Sequence, residues 1–171
     1  MTILKFLSIL SALVLYVFME RGIRKFGALT SYSSYAKEWW EAYPKWLINP
    51  WHLFTWIAAL LIVPVLIEVG AASSLQFLGF FAPVYLIGVS FTPNWWKDNM
   101  EHTLHMVFAG LCAVCGIAWS IFVVHTLPIL IFNIIIVAIG GLYSKTLWTH
   151  KVFWGELIAF NTVYMSLAMI V

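Results

Sequence analysis

Long apolar stretches are the feature that most limits how this chain can fold. Between Glu68 and Lys97 no charged side chain occurs. Of the 171 residues, 63% are hydrophobic and 9% are charged, whereas about 25% of the residues in a soluble domain are charged. Backbone N–H and C=O groups in lipid must find their hydrogen-bond partners inside the protein, so an apolar run of about 20 residues indicates a membrane-spanning helix.

The spacing of these runs predicts an all-α integral membrane protein, a bundle of six transmembrane helices forming one domain over residues 1–171. Two of the predicted spans contain an internal proline, Pro64 and Pro83, and each proline removes one backbone hydrogen-bond donor. The predicted spans cover about residues 3–19, 51–68, 74–92, 102–124, 128–144 and 152–171.

One further helix is predicted over residues 33–43, within the long polar connection that follows the first span. At helical spacing Tyr35, Trp39 and Tyr43 share one side, while Glu41 and the other charged side chains fall elsewhere. This amphipathic pattern is typical of an interfacial helix that lies in the headgroup layer of the membrane.

Lysine and arginine residues are divided unequally between the two predicted sides of the membrane. Eight of them lie in or beside the connections after the first, third and fifth spans, and only Lys5 lies on the other side. Cytoplasmic loops carry the excess of Lys and Arg, so the odd-numbered loops are predicted to be cytoplasmic and both termini to lie opposite. The net charge of +2 is too small and too dispersed for a nucleic-acid-binding surface.

Acidic and histidine side chains recur near the cytoplasmic ends of the predicted spans. Glu156 lies inside the sixth span, and an ionisable residue in a span usually faces the bundle interior or a water-filled cavity. On the fourth span, His102 and His105 share a helix face with smaller residues, which let membrane helices approach closely. We therefore expect one pocket near the cytoplasmic surface that gathers Asp98, Glu101, His102, His105, His150 and Glu156.

Metal-dependent catalysis on a lipid or other small amphiphile is the first chemistry that such a pocket would support. A divalent zinc or iron ion would take its ligands from His102, His105 and Glu156, with an open position for water. Glu101 would serve as the general base. The rim of the site would be formed by two further side chains, Asp98 and His150.

Three other interpretations remain open at this point. Carboxylates and imidazoles in spans also relay protons, so a proton-coupled small-solute transporter would use Glu156, with Pro64 and Pro83 as helix breaks. An accessory subunit would present a seam of small residues to a partner helix. The same polar residues would also serve simply to anchor the bundle in the interface. Cys112 and Cys115 are expected to be small packing residues, since thiolate formation is disfavoured within the bilayer.

Overall fold

The computed structural model describes residues 2–43, 49–92 and 95–170. Lys45, which the orientation prediction counts, and Val171, which ends the sixth predicted span, lie outside this part of the chain. The described residues form seven α-helices and no β-strand, which confirms the all-α prediction. In chain order the helices are α1 (Thr2–Phe26), α2 (Ser34–Ala42), α3 (Pro50–Val69), α4 (Phe77–Ser90), α5 (Asn99–Phe122), α6 (Leu127–Tyr143) and α7 (Lys151–Ile170).

Four helices in this part of the chain, α1, α3, α5 and α7, are long and apolar enough to cross a membrane. They support an integral membrane location. The other two helices predicted as spans are apolar but shorter, with 14 residues in α4 and 17 in α6. At about 1.5 Å per residue, α4 is about 21 Å long, against a hydrocarbon core of about 30 Å.

The shortness of α4 has a local cause in the turn that precedes it. The predicted span starts near residue 74, but the chain forms successive turns there before α4 begins. The hydroxyl of Ser73 accepts a hydrogen bond from the backbone N–H of Leu75. The side-chain amide of Gln76 donates to the carbonyl of Ile67 at 2.9 Å. Polar side chains thus satisfy backbone groups that a longer helix would have paired internally.

The long helices pack around α3 and α7. α4 lies between α3 and α5, α1 packs on α3 and α7, and α5 also contacts α7. α6 packs mainly on α7 at the edge of the bundle, where the Asn133 side-chain amide donates to the Thr162 hydroxyl at 3.3 Å. Its outer face remains uncovered, and about half or more of Ile135, Ile136 and Ile139 is exposed.

The first helix continues well past the predicted end of its span at residue 19. Glu20 and Arg24 form an ion pair one turn apart on its surface, which supports helix through this polar segment. α1 ends at Phe26, and Gly27 follows with a φ of +80°, a left-handed conformation that favours glycine.

The short helix α2, Ser34–Ala42, confirms the helix predicted over residues 33–43. Tyr35 is fully buried on its inner side, and its hydroxyl donates to the Gly27 carbonyl at 2.9 Å. The Lys25 ammonium group at the end of α1 lies 4.0 Å from the centre of the Tyr43 ring and donates to its hydroxyl. These contacts hold α2 against the end of α1.

The inward face of α5 is the one that the sequence indicates. His105, Gly116 and Ser120 are buried on that face. On the opposite side, Val107 is 49% exposed and Val114 is 63% exposed. The small and polar face of α5 therefore points into the bundle.

Candidate functional site

Glu156 is half-buried in the second turn of α7, and a loop residue positions its carboxylate. The backbone N–H of Tyr32, in the segment between α1 and α2, donates to Glu156 Oε2 at 2.6 Å. Tyr32 is itself fixed, because the Trp51 indole N–H donates to its carbonyl and its hydroxyl lies 3.4 Å from the Thr55 hydroxyl. Burial raises the pKa of the Tyr32 phenol above its usual range, so this hydroxyl stays neutral beside Glu156.

His105 is only 2% exposed, and its hydrogen bonds indicate its tautomer. The Thr92 hydroxyl donates to the Val89 carbonyl, so its oxygen can accept the hydrogen bond from His105 Nδ1 at 2.9 Å. Nδ1 therefore carries the proton and Nε2 keeps a free lone pair. Nε2 is buried and has no hydrogen-bond partner among the described residues. Such an unpaired acceptor is costly to bury.

The side chain of Trp95 covers one side of the two α5 histidines. Its ring stacks on His105 with centroids 4.7 Å apart and planes 18° apart. The His102 ring is 5.9 Å from the same tryptophan, and His102 is exposed. The tryptophan thus restricts how the buried imidazole can turn.

The remaining predicted site residues have local roles at helix ends. Asp98 caps α5, and its carboxylate accepts from the backbone N–H groups of Met100 and Glu101, each at 2.9 Å. Glu101 therefore lies in the first turn of α5. His150 connects the start of α7 to the α1–α2 segment, because its Nε2 is 3.2 Å from the Ala28 carbonyl oxygen.

A cavity of about 460 Å³ lies between α5, α7 and the α1–α2 segment, and we call it the outer cavity. Its wall includes His102, His105 and Glu156, together with Ser33 and Trp95. Three of the six predicted site residues thus face one space. Asp98, Glu101 and His150 are not part of this wall, and within residues 2–43, 49–92 and 95–170 no lysine or arginine contributes to it.

A narrow space deeper in the bundle adjoins the outer cavity, and we call it the inner slot. Its upper part, about 60 Å³, shares Ala113 and Glu156 with the outer cavity. Its lower part, about 40 Å³, shares Cys112 and Phe160 with the upper part and reaches Tyr164. The slot runs between α4, α5 and α7 and is mostly apolar.

Among the described residues, no set of three or more His, Cys, Asp or Glu side chains is arranged so that it could hold a metal ion. His102, His105 and Glu156 share a cavity wall, and the metal-dependent reaction stays a prediction.

Three residues that matter to this site escaped the sequence reasoning: Tyr32, Thr92 and Trp95. Tyr32 acts through its backbone N–H, which has no signature in a sequence. Thr92 supplies an ordinary hydroxyl just after α4. Trp95 carries a signal, since it is aromatic, but tryptophan at a membrane surface is more often a belt residue.

Comparison with known proteins finds no matching family model, no similar characterised protein and no similar solved structure.

Proposed function

We propose that this protein is an integral membrane protein of six spans that binds a lipid-like amphiphile in the outer cavity. One observation carries the proposal: Glu156 and the buried His105 contribute to one cavity wall, and an apolar slot that also includes Glu156 in its wall adjoins that cavity. A polar head and an apolar chain would each find a matching environment. The proposal rests on hydrogen-bond acceptors and uses no metal ion.

The polarity of the wall limits the kind of head that fits. Tyr32 occupies Glu156 Oε2, which leaves Oε1 as an acceptor for a ligand in the outer cavity. An anionic phosphate would meet Glu156 without a cation in the described wall. The head should therefore donate hydrogen bonds, as a hydroxyl or an ammonium group does.

The six-span arrangement is supported by packing and by exposed apolar faces. α4 packs along α3 and α5, and α6 packs along α7. Each short helix thus lies beside a helix that is long and apolar enough to cross a membrane. Phe77 and Phe80 of α4 and Ile131 of α6 are each 45–50% exposed, as expected of side chains that face lipid. In the proposed orientation the outer cavity opens near the cytoplasmic surface, α2 lies in that interface, and both termini lie opposite.

Binding can be tested with paired probes and paired variants. Native mass spectrometry of the purified protein would measure binding of monododecanoylglycerol, which has hydroxyl donors, and of dodecyl phosphate, which is anionic. We expect the glycerol ester to bind more tightly. Glu156→Gln retains an acceptor for the Tyr32 N–H but removes the charge, and it should weaken binding of the ester by at least about tenfold.

Glu68→Gln is the matched control, because it makes the same change at an exposed position at the far end of α3. This variant should bind like the unmodified protein. Equal binding of the two probes, or equal binding by both variants, would contradict the proposal.

Movement of a solute through the bundle is a second candidate, favoured by a further cavity. A space of about 150 Å³ at the other end of α7 is lined by Lys5, Ser8 and Tyr164, and Tyr164 also lines the inner slot. A proton-coupled small-solute transporter would use this line of cavities. In proteoliposomes Glu156→Gln should then abolish a pH-dependent solute flux, and an unchanged flux would exclude this candidate.

A further inference from the structure

We infer that the outer cavity selects amphiphiles whose head is a primary ammonium group, in preference to heads that carry only hydroxyls or a quaternary ammonium. This inference rests on the proposed binding of an amphiphile in the outer cavity, and it names the class of ligand as a primary alkylamine. Its basis is the charge balance around Glu156 and the chemistry of the other groups in the cavity wall.

The carboxylate of Glu156 lacks a countercharge among the described residues. The ion pairs Glu20–Arg24 and Lys37–Glu41 lie on the surface, and neither involves Glu156. The nearest basic residue along α7 is Lys151, which is exposed and does not contribute to the wall of the outer cavity. An ionised side chain within a span normally pairs with another charge or with backbone groups. The cavity therefore offers an anionic group that a bound cation would neutralise.

The position of Glu156 is fixed on the inner side of the bundle. It lies five residues after Lys151, about 7.5 Å along the helix axis from the start of α7. The backbone N–H of Tyr32, a residue that is only 2% exposed, donates to its Oε2 at 2.6 Å. A charge held in such a place is costly without a partner, and an ammonium group at Oε1 would offset that cost.

The other polar groups of the wall suit an ammonium group that donates hydrogen bonds. Thr30, Ser31 and Ser33 contribute hydroxyl-bearing side chains to the wall, and hydroxyl oxygens accept hydrogen bonds. A primary ammonium has three N–H donors for the carboxylate and these oxygens, whereas a quaternary ammonium has none. Trp95 adds an aromatic ring to the same wall, and the face of an aromatic ring attracts cations.

The expected preference follows from the strength of charged hydrogen bonds. A hydrogen bond between ionised groups is about twice as strong as one between neutral groups, and the ion pair adds its own attraction. With a chain of equal length, a primary ammonium should therefore bind at least about tenfold more tightly than a hydroxyl. The advantage should disappear when the carboxylate is replaced by an amide.

Three probes that share a dodecyl chain separate charge from hydrogen-bond donation. Dodecylammonium has both, dodecanol has a donor without charge, and dodecyltrimethylammonium has charge without a donor. Native mass spectrometry would measure their binding to the purified protein in one nonionic detergent, with EDTA present so that no metal ion contributes. At about pH 8 a primary alkylamine is still protonated.

We expect dodecylammonium to bind at least about tenfold more tightly than either of the other two probes. Equal binding of dodecyltrimethylammonium would overturn the inference, because charge alone would then suffice. If monododecanoylglycerol binds but dodecylammonium is no tighter than dodecanol, the inference is wrong and the proposed function stands. If neither monododecanoylglycerol nor any dodecyl probe binds, both are wrong.

Variants locate the group that carries the preference. Glu156→Gln should bind dodecylammonium no more tightly than dodecanol, whereas Glu68→Gln, which removes a charge at the far end of α3, should keep the full preference. A preference that survives in Glu156→Gln would place the ammonium group elsewhere and refute the inference. A preference lost equally in Glu68→Gln would reveal a general attraction of cations to the protein, which also refutes it.

Discussion

The contact between α1 and α2 allows a stability prediction whose magnitude follows from the structure. A Cβ added to Gly22 would lie 2.8 Å from Cδ1 and 3.0 Å from Cε1 of Tyr35. This ring has no room to move, because Tyr35 is fully buried and its hydroxyl is bound to Gly27. Overpacking of this kind costs about 1–3 kcal/mol. Alanine also gains about 0.5–1 kcal/mol over glycine within a helix, so the net loss of unfolding free energy in Gly22→Ala should be about 0–2.5 kcal/mol.

Gly140→Ala in α6 provides the matched control, because a Cβ there meets nothing within 4 Å. This variant should show only the stabilisation of about 0.5–1 kcal/mol that alanine brings over glycine within a helix. Both variants gain this helix stabilisation. The difference between their unfolding free energies therefore gives the steric cost of about 1–3 kcal/mol at Gly22. Unfolding in mixed micelles, titrated with dodecyl sulfate and followed by tryptophan fluorescence, would measure both. A Gly22→Ala protein as stable as Gly140→Ala would refute the packing of α2 on α1.

Two further substitutions test how the α1–α2 region is held. Asn49→Ala removes both the cap of α3, where Asn49 accepts from the Trp51 N–H, and a buried donor to the Ala36 carbonyl. We expect a loss of about 2 kcal/mol in the same unfolding assay, and an unchanged midpoint would contradict these contacts. Tyr32→Phe retains the backbone N–H that positions Glu156 and should therefore keep monododecanoylglycerol binding within about twofold of the original value. A loss as large as that of Glu156→Gln would show that the phenol itself contacts the ligand.

Much of the helical pattern could be predicted because lipid leaves few alternatives to helix. The amphipathic helix α2 and the inward face of α5 follow from the 3.6-residue spacing of their side chains. The short length of α4 could not be predicted, because it depends on hydrogen bonds made by Ser73 and Gln76 in the preceding turn. The extension of α1 to Phe26 was missed for a related reason. Its charged residues suggested a loop, whereas the Glu20–Arg24 pair fits helical geometry.

The candidate site was predictable only in part. Glu156 and His105 stood out because polar groups inside a span must find an inward environment. Their partners come from non-helical segments, where the backbone path decides which groups meet. Asp98 shows the opposite difficulty, since a carboxylate directly before a helix serves equally well as a cap, and capping is what it does here.

The most direct test of the account is to locate a bound amphiphile within the bundle. A monoacylglycerol with a photoreactive diazirine near the end of a ten-carbon chain would be bound to the protein in nanodiscs, irradiated and mapped by peptide mass spectrometry. We predict labelling at residues of the inner slot, such as Leu86, Phe160 and Val163, and reduced labelling in Glu156→Gln. Labelling confined to outward-facing side chains such as Val114 and Ile135 would contradict the account, because the chain would then lie in the surrounding lipid.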